Sequence, residues 1–218
     1  MEDRKRALVS RLLQHDLVPH VFGISSSQTI LKRSRNGKPF LESCKETEPR
    51  FPNFNFNVSH HGDYVAIVSE PSCLIGVDIV TFLLPERQTV KEFLQSFRSY
   101  MTGFEWEDIL KPDSSEEQLK KFFKYWALKE AYVKAIGEGL SFGMKRVEFH
   151  RTNRDEIRVA VDGILLQEWR FWVAELQNKH MIAVAKGCRS FSEDLSDVGL
   201  RFKERTVEEL LCVSSTVR

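Results

Sequence analysis

The chain has 218 residues, and 32 Lys and Arg against 31 Asp and Glu leave it a formal charge of only +1 at pH 7. This balance argues against a basic clamp for nucleic acid or for an anionic membrane surface, so any phosphate binding must be local. The composition, 42% hydrophobic and 29% charged, is typical of a globular chain of one or two domains and argues against extended disorder, collagen-like repeats and coiled coils.

The N-terminus and the cysteines indicate the compartment. The first six residues, Met-Glu-Asp-Arg-Lys-Arg, do not resemble a secretory signal, which needs an apolar run of roughly 7–15 residues. No stretch reaches the roughly 18 apolar residues of a transmembrane helix. We therefore expect a cytosolic protein that does not bind membranes, and the sequence equally allows a nuclear one. The four cysteines lack the spacing of a zinc site, and we interpret them as free thiols of a reducing compartment: Cys44, Cys73, Cys188 and Cys212.

The first part of the chain combines one helix with short strands. Apolar residues at helical spacing predict an amphipathic helix over residues 4–17. A polar region follows from residue 24 to residue 50, and the tight-turn sequence Asn36-Gly37-Lys38-Pro39 lies within it. Three strands are predicted next, of which the last two form a hairpin or a meander: 54–59, 64–68 and 74–80.

Helices open the second part of the chain. Periodic apolar residues predict one helix over residues 88–111 and another from the cap at residues 112–115 to about Ile136, where Gly137 and Gly139 end it. Further on, residues 206–209 have the pattern of a capping box that starts a short terminal helix. Four strands of antiparallel sheet are predicted in between: 144–149, 156–161, 169–174 and 180–186.

Helices followed by strands occur twice along the chain, which predicts an α+β fold of two similar halves. We expect residues 1–73 to form the first half and residues 74–186 the second. Residues 187–218 would form a polar tail that contains the short helix.

Asp78 is the most unusual acidic residue, because it lies within the most apolar stretch of the chain, residues 74–80. A buried carboxylate without a partner would cost several kcal/mol, so Asp78 needs a cation or several hydrogen-bond donors. A structural carboxylate, bonded to backbone N–H groups or to an arginine, and a metal-binding or catalytic carboxylate are both consistent with this stretch.

A second carboxylate lies on the long helix. Phe122, Trp126, Glu130 and Lys134 recur every four residues and therefore share one slowly drifting stripe, whose aromatic half must be buried. Glu130 and Lys134 are consistent with a surface ion pair of about 0.3–0.5 kcal/mol. A carboxylate one turn beyond Trp126 is also placed to point into a cleft.

Together these residues indicate a site that handles phosphate. Mg²⁺ in proteins takes one or two carboxylates and completes its shell with water and phosphate oxygens, and a Gly-Lys-Pro turn adds a cation. A hydrolase triad of Ser59, His60 and Asp78 is disfavoured because Ser59 does not lie in a G-x-S-x-G sequence. Walker A and G-x-G-x-x-G sequences are absent.

A binder of single-stranded nucleic acid is another alternative, drawn from Phe54-Asn55-Phe56-Asn57 as a stacking strand. The near-neutral chain lacks the basic groove that such a protein requires, which disfavours this function.

Four ordered motifs carry a family resemblance. The chain resembles the 4′-phosphopantetheinyl transferases, of the monomeric surfactin-activator type, and is most similar to their eukaryotic L-aminoadipate-semialdehyde dehydrogenase-phosphopantetheinyl transferase branch. The last motif is the most specific, with the pattern F-x-x-x-W-x-x-K-E-A-Y-x-K-A-x-G-x-G-L. The motifs are Gly37-Lys38-Pro39, residues 54–60, Gly76-Val77-Asp78-Ile79 and residues 122–140.

The resemblance implies a fold of two pseudo-symmetric halves and a monomeric enzyme that acts on acyl or peptidyl carrier proteins. It implies transfer of the 4′-phosphopantetheine arm of coenzyme A to a serine of the apo carrier, with release of 3′,5′-ADP. Mg²⁺, or Mn²⁺ in its place, would be held by Asp78 and Glu130 in the second half, and the catalytic residues would be Asp78, Glu130 and Lys134. Glu130 would be the base, either directly or through a metal-bound water. The residues implied to bind coenzyme A are Asn36, Gly37, Lys38, Pro39, Phe40, Leu41, Asn57, Val58, Ser59, His60, Glu130 and Lys134.

The chain departs from the family pattern in two ways. Many bacterial members carry a second acid two residues after the motif Asp, where this chain has Val80, so we expect a water molecule in that coordination position. Family members also place some fifty residues before the first helix. An impaired, truncated isoform that only binds coenzyme A or carrier protein is therefore the alternative function.

The acidic recognition helix of carrier proteins leads us to expect a basic surface near the site. Its candidates are Lys120, Lys121 and Lys124, at the start of the long helix.

Overall fold

The computed structural model describes residues 2–24, 30–42, 51, 53–152, 155–188 and 202–210. Within these ranges the fold is α+β, as predicted. The helices are α1 (Glu2–Phe22), α2 (Val90–Ser96), α3 (Gly103–Leu110) and α4 (Ser115–Ile136). The strands are β1 (Leu31–Arg33), β2 (Pro39–Leu41), β3 (Asn55–His61), β4 (Tyr64–Glu70), β5 (Leu74–Thr81), β6 (Val147–Arg151), β7 (Ile157–Val161), β8 (Ile164–Leu166), β9 (Trp169–Leu176) and β10 (His180–Gly187).

The described strands form four small antiparallel sheets, with the orders β1-β2, β3-β4, β5-β10-β9 and β6-β7-β8. The hairpin or meander expected for residues 64–68 and 74–80 is wrong, because β4 pairs with β3 while β5 pairs with β10. In that pairing Asp78 lies opposite Ala183. The strand that pairs with β5 lies more than one hundred residues further along the chain, so local turn residues could not indicate this pairing.

The other edge of β5 faces β3, and side chains take the place of a backbone ladder there. Asn55 accepts a hydrogen bond from the N–H of Ile75 at 3.1 Å, Asn57 from Val77 at 2.9 Å and Ser59 from Ile79 at 3.2 Å. Because strand side chains alternate between two faces, these three acceptors share one face of β3. We call Asn55, Asn57 and Ser59 the polar ladder.

Capping explains where the helices before the long helix begin. Thr89 with Glu92 and Thr102 with Glu105 form capping boxes, each with both reciprocal hydrogen bonds. The continuous helix predicted over residues 88–111 is therefore wrong: Met101 is extended and α3 starts afresh after Thr102. The predicted box at Thr206 and Glu209 is confirmed by both of its hydrogen bonds and is followed by a helical turn at residues 207–210.

The long helix α4 lies at the centre of the fold. Ser114 caps its N-terminus and Gly137 ends it with a φ of 79°, as the sequence predicted. Its buried face packs with β5 and β10 in the main hydrophobic core, to which Phe122, Leu128 and Val80 belong. None of the helices that the structure describes combines the length and apolar character needed to cross a membrane.

The free thiols expected at Cys73 and Cys188 are wrong, because these two residues form a disulfide across a sequence separation of 115. They lie just outside the pair Leu74 and Gly187, where the register of β5 and β10 brings them side by side. Cys44 and Cys212 lie outside the described residues.

Candidate functional site

Asp78 is 5% exposed at the contact between β5, β3 and α4. Its Oδ1 accepts hydrogen bonds from Lys134 Nζ at 2.5 Å and from Ser59 Oγ at 3.0 Å. Lys134 Nζ also donates to Ser59 Oγ at 3.0 Å. Burial raises the pKa of Asp78, and the Lys134 ammonium opposes that shift. Asp78 therefore has the cationic partner that its apolar strand required.

The second oxygen of Asp78, Oδ2, is buried and has no hydrogen-bond partner. Glu130 is half-buried one turn before Lys134 on α4, as the stripe predicted. Burial raises the pKa of Glu130, and the nearby charge of Asp78 raises it further. The two carboxylates repel each other, and one oxygen of Asp78 has no hydrogen-bond donor. This part of the site therefore has an excess of hydrogen-bond acceptors.

These residues fit a divalent cation. No group of three or more potential His, Cys, Asp or Glu ligands occurs among the residues described, so the protein alone would supply two carboxylates. This number suits Mg²⁺, which usually keeps water molecules and binds phosphate oxygens of the substrate. Val80 is 5% exposed in the hydrophobic core and adds no third ligand.

Lys38 comes from the turn between β1 and β2 and reaches the C-terminus of α4. Its Nζ donates to the carbonyl of Ala135 at 2.8 Å and lies 3.5 Å from that of Ile75. Asn36 Nδ2 donates to the carbonyl of Gly137 at 2.9 Å. Burial lowers the pKa of Lys38 to about 8. The turn therefore satisfies free carbonyls at the helix end and leaves Lys38 at the cavity described next.

A cavity of about 230 Å³ connects this turn with β3 and α4. The structure brings eight of the implied coenzyme A residues to its walls: Asn36, Gly37, Lys38, Pro39, Asn57, Val58, His60 and Lys134. Sequence reasoning missed three polar residues that also line it, Ser10, Gln14 and Arg33. Arg33 carries a signal, a cation four residues before Gly37, whereas Ser10 and Gln14 are polar residues of α1 that no sequence motif singles out.

The remaining implied residues lie outside these walls. Ser59 accepts a hydrogen bond from Lys134 of the cavity wall, and Glu130 lies one turn before Lys134 on α4. Phe40 and Leu41 belong to β2, with Phe40 40% exposed. A larger groove of about 1660 Å³ lies between α1, β4 and the sheet β5-β10-β9, and none of the predicted site residues lines it.

The Ser59 hydroxyl is bonded to Asp78 and Lys134, so its hydrogen bonds do not form a Ser-His-Asp triad with the exposed His60.

The basic residues at the start of α4 have acidic neighbours. Lys120 forms an ion pair with Glu175, and Lys121 forms one with Asp108 at 2.8 Å. Lys124 is half-buried, and burial lowers its pKa. Two of the three proposed carrier contacts are therefore already paired.

Comparisons with known proteins identify relatives of this chain. An L-aminoadipate-semialdehyde dehydrogenase-phosphopantetheinyl transferase from Rattus norvegicus is 38% identical over 191 residues, which cover 84% of this chain and 61% of the relative. A 4′-phosphopantetheinyl transferase, pptA, from Paxillus involutus is 30% identical, with 96% of this chain and 85% of the relative covered. This chain thus spans about three fifths of the length of the rat relative.

Solved structures of holo-[acyl-carrier-protein] synthases are also similar to part of this chain. The Helicobacter pylori enzyme in complex with coenzyme A is 22% identical and covers 51% of this chain and 96% of its own, with a TM-score of 0.39. The Thermotoga maritima enzyme is 19% identical and covers 62% and 80%, with a TM-score of 0.40.

Two family profiles together cover most of the sequence. Residues 1–72 match the profile described as 4′-phosphopantetheinyl transferase, N-terminal. Residues 74–185 match the profile of the 4′-phosphopantetheinyl transferase superfamily. The two matches join one residue before β5, the strand that carries Asp78, so each candidate carboxylate lies in the second match. The chain belongs to the 4′-phosphopantetheinyl transferase superfamily.

Proposed function

We propose that the protein transfers the 4′-phosphopantetheine arm of coenzyme A to a serine of an apo acyl or peptidyl carrier protein, releasing 3′,5′-ADP. The observation that carries this proposal is the unsatisfied, buried Oδ2 of Asp78 beside Glu130, next to a cavity lined by cationic groups. Relatives named phosphopantetheinyl transferase support the chemistry.

Asp78, through Oδ2, and Glu130 would hold Mg²⁺, with Mn²⁺ as a substitute. When bound, the metal supplies positive charge that stabilises the pyrophosphate during substitution at phosphorus. Lys134 and Lys38 line the cavity with His60 and can neutralise the remaining phosphate charge of coenzyme A. Asn36 to Leu41 and Asn57 to His60 form the two backbone segments against which coenzyme A would lie.

In the proposed reaction, the serine oxygen of the carrier attacks the phosphorus that bears pantetheine. The new Ser O–P bond forms as the P–O bond to 3′,5′-ADP breaks, and the leaving group carries away that electron pair. Glu130 accepts the serine proton at its carboxylate.

The organisation of the whole enzyme is part of the proposal. We place the two halves at residues 1–73 and 74–186, with the tail at residues 187–218, and we propose a cytosolic monomer. Lys124 and its neighbours Lys120 and Lys121 remain our candidates for contact with an acidic carrier.

The test is incubation of the full chain with apo carrier protein, coenzyme A and Mg²⁺, followed by mass spectrometry of the carrier. We expect the mass of one phosphopantetheine arm to be added, and we expect Asp78→Ala and Glu130→Ala to abolish the addition. Glu107→Gln, which changes an exposed carboxylate on α3, is the matched control and should leave it unchanged.

Equal modification by wild type, Asp78→Ala and Glu130→Ala would contradict the site assignment. Calorimetric binding of coenzyme A without any modification of the carrier would instead support the alternative, a catalytically impaired member of the family.

A further inference from the structure

The polar ladder has a regular geometry that no local turn explains. Its three hydrogen bonds join Asn55 to Ile75, Asn57 to Val77 and Ser59 to Ile79. The sequence separation is 20 each time, so β3 and β5 run in the same direction and keep one register over all three rungs. Acceptor oxygens on side chains thus do what carbonyls of a neighbouring strand would do in a parallel ladder.

Two rungs flank the candidate metal ligand. The amides of Val77 and Ile79 lie on either side of Asp78 in β5, and each is held by a ladder residue. Ser59 in addition donates to Asp78 Oδ1. The backbone that carries Asp78 is therefore fixed on both sides from β3, while β10 fixes its other edge.

The first rung lies away from the cavity. Asn55 accepts a hydrogen bond from the amide of Ile75 and donates one through Nδ2 to the carbonyl of Cys73 at 2.5 Å. It therefore binds the backbone on both sides of Leu74. It does not line the 230 Å³ cavity, whereas Asn57 does. Asn57 is 4% exposed and its Oδ1 is used by Val77. A role for Asn55 must therefore act through β5.

We infer that Asn55 and Asn57 are positioning residues that hold β5 so that Asp78 and Glu130 bind the divalent cation together. This inference rests on the proposed function. It assigns to Asn55 and Asn57 an indirect role, in which they orient the metal ligands without contacting the metal. Outer residues that orient metal ligands change metal affinity by about 10–100-fold when they are substituted. We expect a change of that size in metal affinity when one hydrogen bond of the polar ladder is lost.

The experiment measures Mn²⁺ binding to the full chain by the electron paramagnetic resonance signal of free Mn²⁺, well below the unfolding temperature. Asn55→Val and Asn57→Val should weaken Mn²⁺ binding at least tenfold. Asn57→Ser should restore most of it, because Ser59 already shows that a hydroxyl on β3 can accept from a β5 amide. Asn53→Val, which changes an exposed asparagine two residues before the ladder, is the matched control.

Transfer kinetics provide a second readout. Asn55→Val should raise the Mg²⁺ concentration needed for half-maximal kcat and leave KM for coenzyme A unchanged at saturating Mg²⁺, because Asn55 is outside the cavity. Wild-type Mn²⁺ affinity in both valine variants, even with a lower Tm, would show a purely structural ladder and overturn the inference. Wild type that neither binds Mn²⁺ nor modifies the carrier would overturn the proposed function as well.

Discussion

The burial of Lys38 determines how ligand binding should depend on pH. Its pKa is lowered to about 8 because burial disfavours the charged ammonium. The ammonium is therefore present below that pH and is lost as the pH rises through it. We predict that affinity for coenzyme A, measured by calorimetry, falls between about pH 7 and pH 9 in wild type. Lys38→Arg should flatten this fall, because guanidinium stays charged.

Lys32→Arg is the matched control for that prediction, since Lys32 lies on the same hairpin and is exposed and paired with Glu42. An equally steep fall in Lys38→Arg and in wild type would show that another group titrates.

A fully buried ion pair joins α4 to α3. Lys129 Nζ is 2.8 Å from Glu105 Oε2, and both side chains are 0% exposed. Lys129 also donates to the carbonyls of Met144 and Val147, and Glu105 accepts from the amide of Phe149. The pair thus ties α3, α4 and the start of β6 together, although its net contribution to stability need not be large.

We predict that Lys129→Met lowers the free energy of unfolding by about 3–5 kcal/mol, because it leaves the Glu105 carboxylate buried without a cation. The double variant Glu105→Gln, Lys129→Met should lose less than Lys129→Met alone. Urea unfolding curves of the two variants provide the comparison. A double variant less stable than Lys129→Met alone would contradict the interpretation.

At the scale of elements, the contact of β5 with α4 depends on Gly76. A Cβ at this position would lie 2.1 Å from the Ala131 carbonyl oxygen and 2.5 Å from the Ala135 amide nitrogen. Both are backbone atoms, so the helix itself would have to move. Gly76 therefore allows the close approach that brings Lys134 to Asp78.

We predict that Gly76→Ala lowers the free energy of unfolding by about 1–3 kcal/mol, as overpacking usually does, and reduces carrier modification more than the stability loss alone explains. Activity should be measured well below the Tm of the variant. Gly103→Ala, at a glycine where a Cβ meets nothing within 4 Å, serves as the control. Normal activity in Gly76→Ala would show that the spacing of α4 and β5 is not critical.

Local signals predicted α4 well, because Ser114, the aromatic stripe and Gly137 each act within a few residues. The split between α2 and α3 was missed although Thr102 and Glu105 form a capping pattern, since the apolar periodicity continues across it. The partner of Asp78 required distant information. The sequence showed that Asp78 needs a partner, but only the fold shows that Lys134 and Ser59 supply it. Here the structural and the functional interpretations of Asp78 are both compatible with the contacts.

At the scale of the whole molecule, the disulfide between Cys73 and Cys188 closes a long loop. The expectation of free thiols failed because pairing of β5 with β10 was not predictable from local sequence. We predict that reduction by dithiothreitol lowers the free energy of unfolding by about 2–5 kcal/mol, chiefly by freeing the unfolded chain. Thermal scans with and without reductant measure the change. A Cys73→Ala, Cys188→Ala variant should not respond to reductant, and an equal Tm of oxidised and reduced wild type would contradict the prediction.

The same bond changes the covalent topology of the chain. Residues 73–188 form a closed ring, and this ring contains the whole of the second family match, residues 74–185, with Asp78, Glu130 and Lys134 inside it. A single proteolytic cut within the ring leaves both resulting fragments joined in one covalent molecule, whereas a cut before Cys73 releases the N-terminal piece. The candidate carboxylates thus stay within one covalent molecule even when a loop between them is nicked.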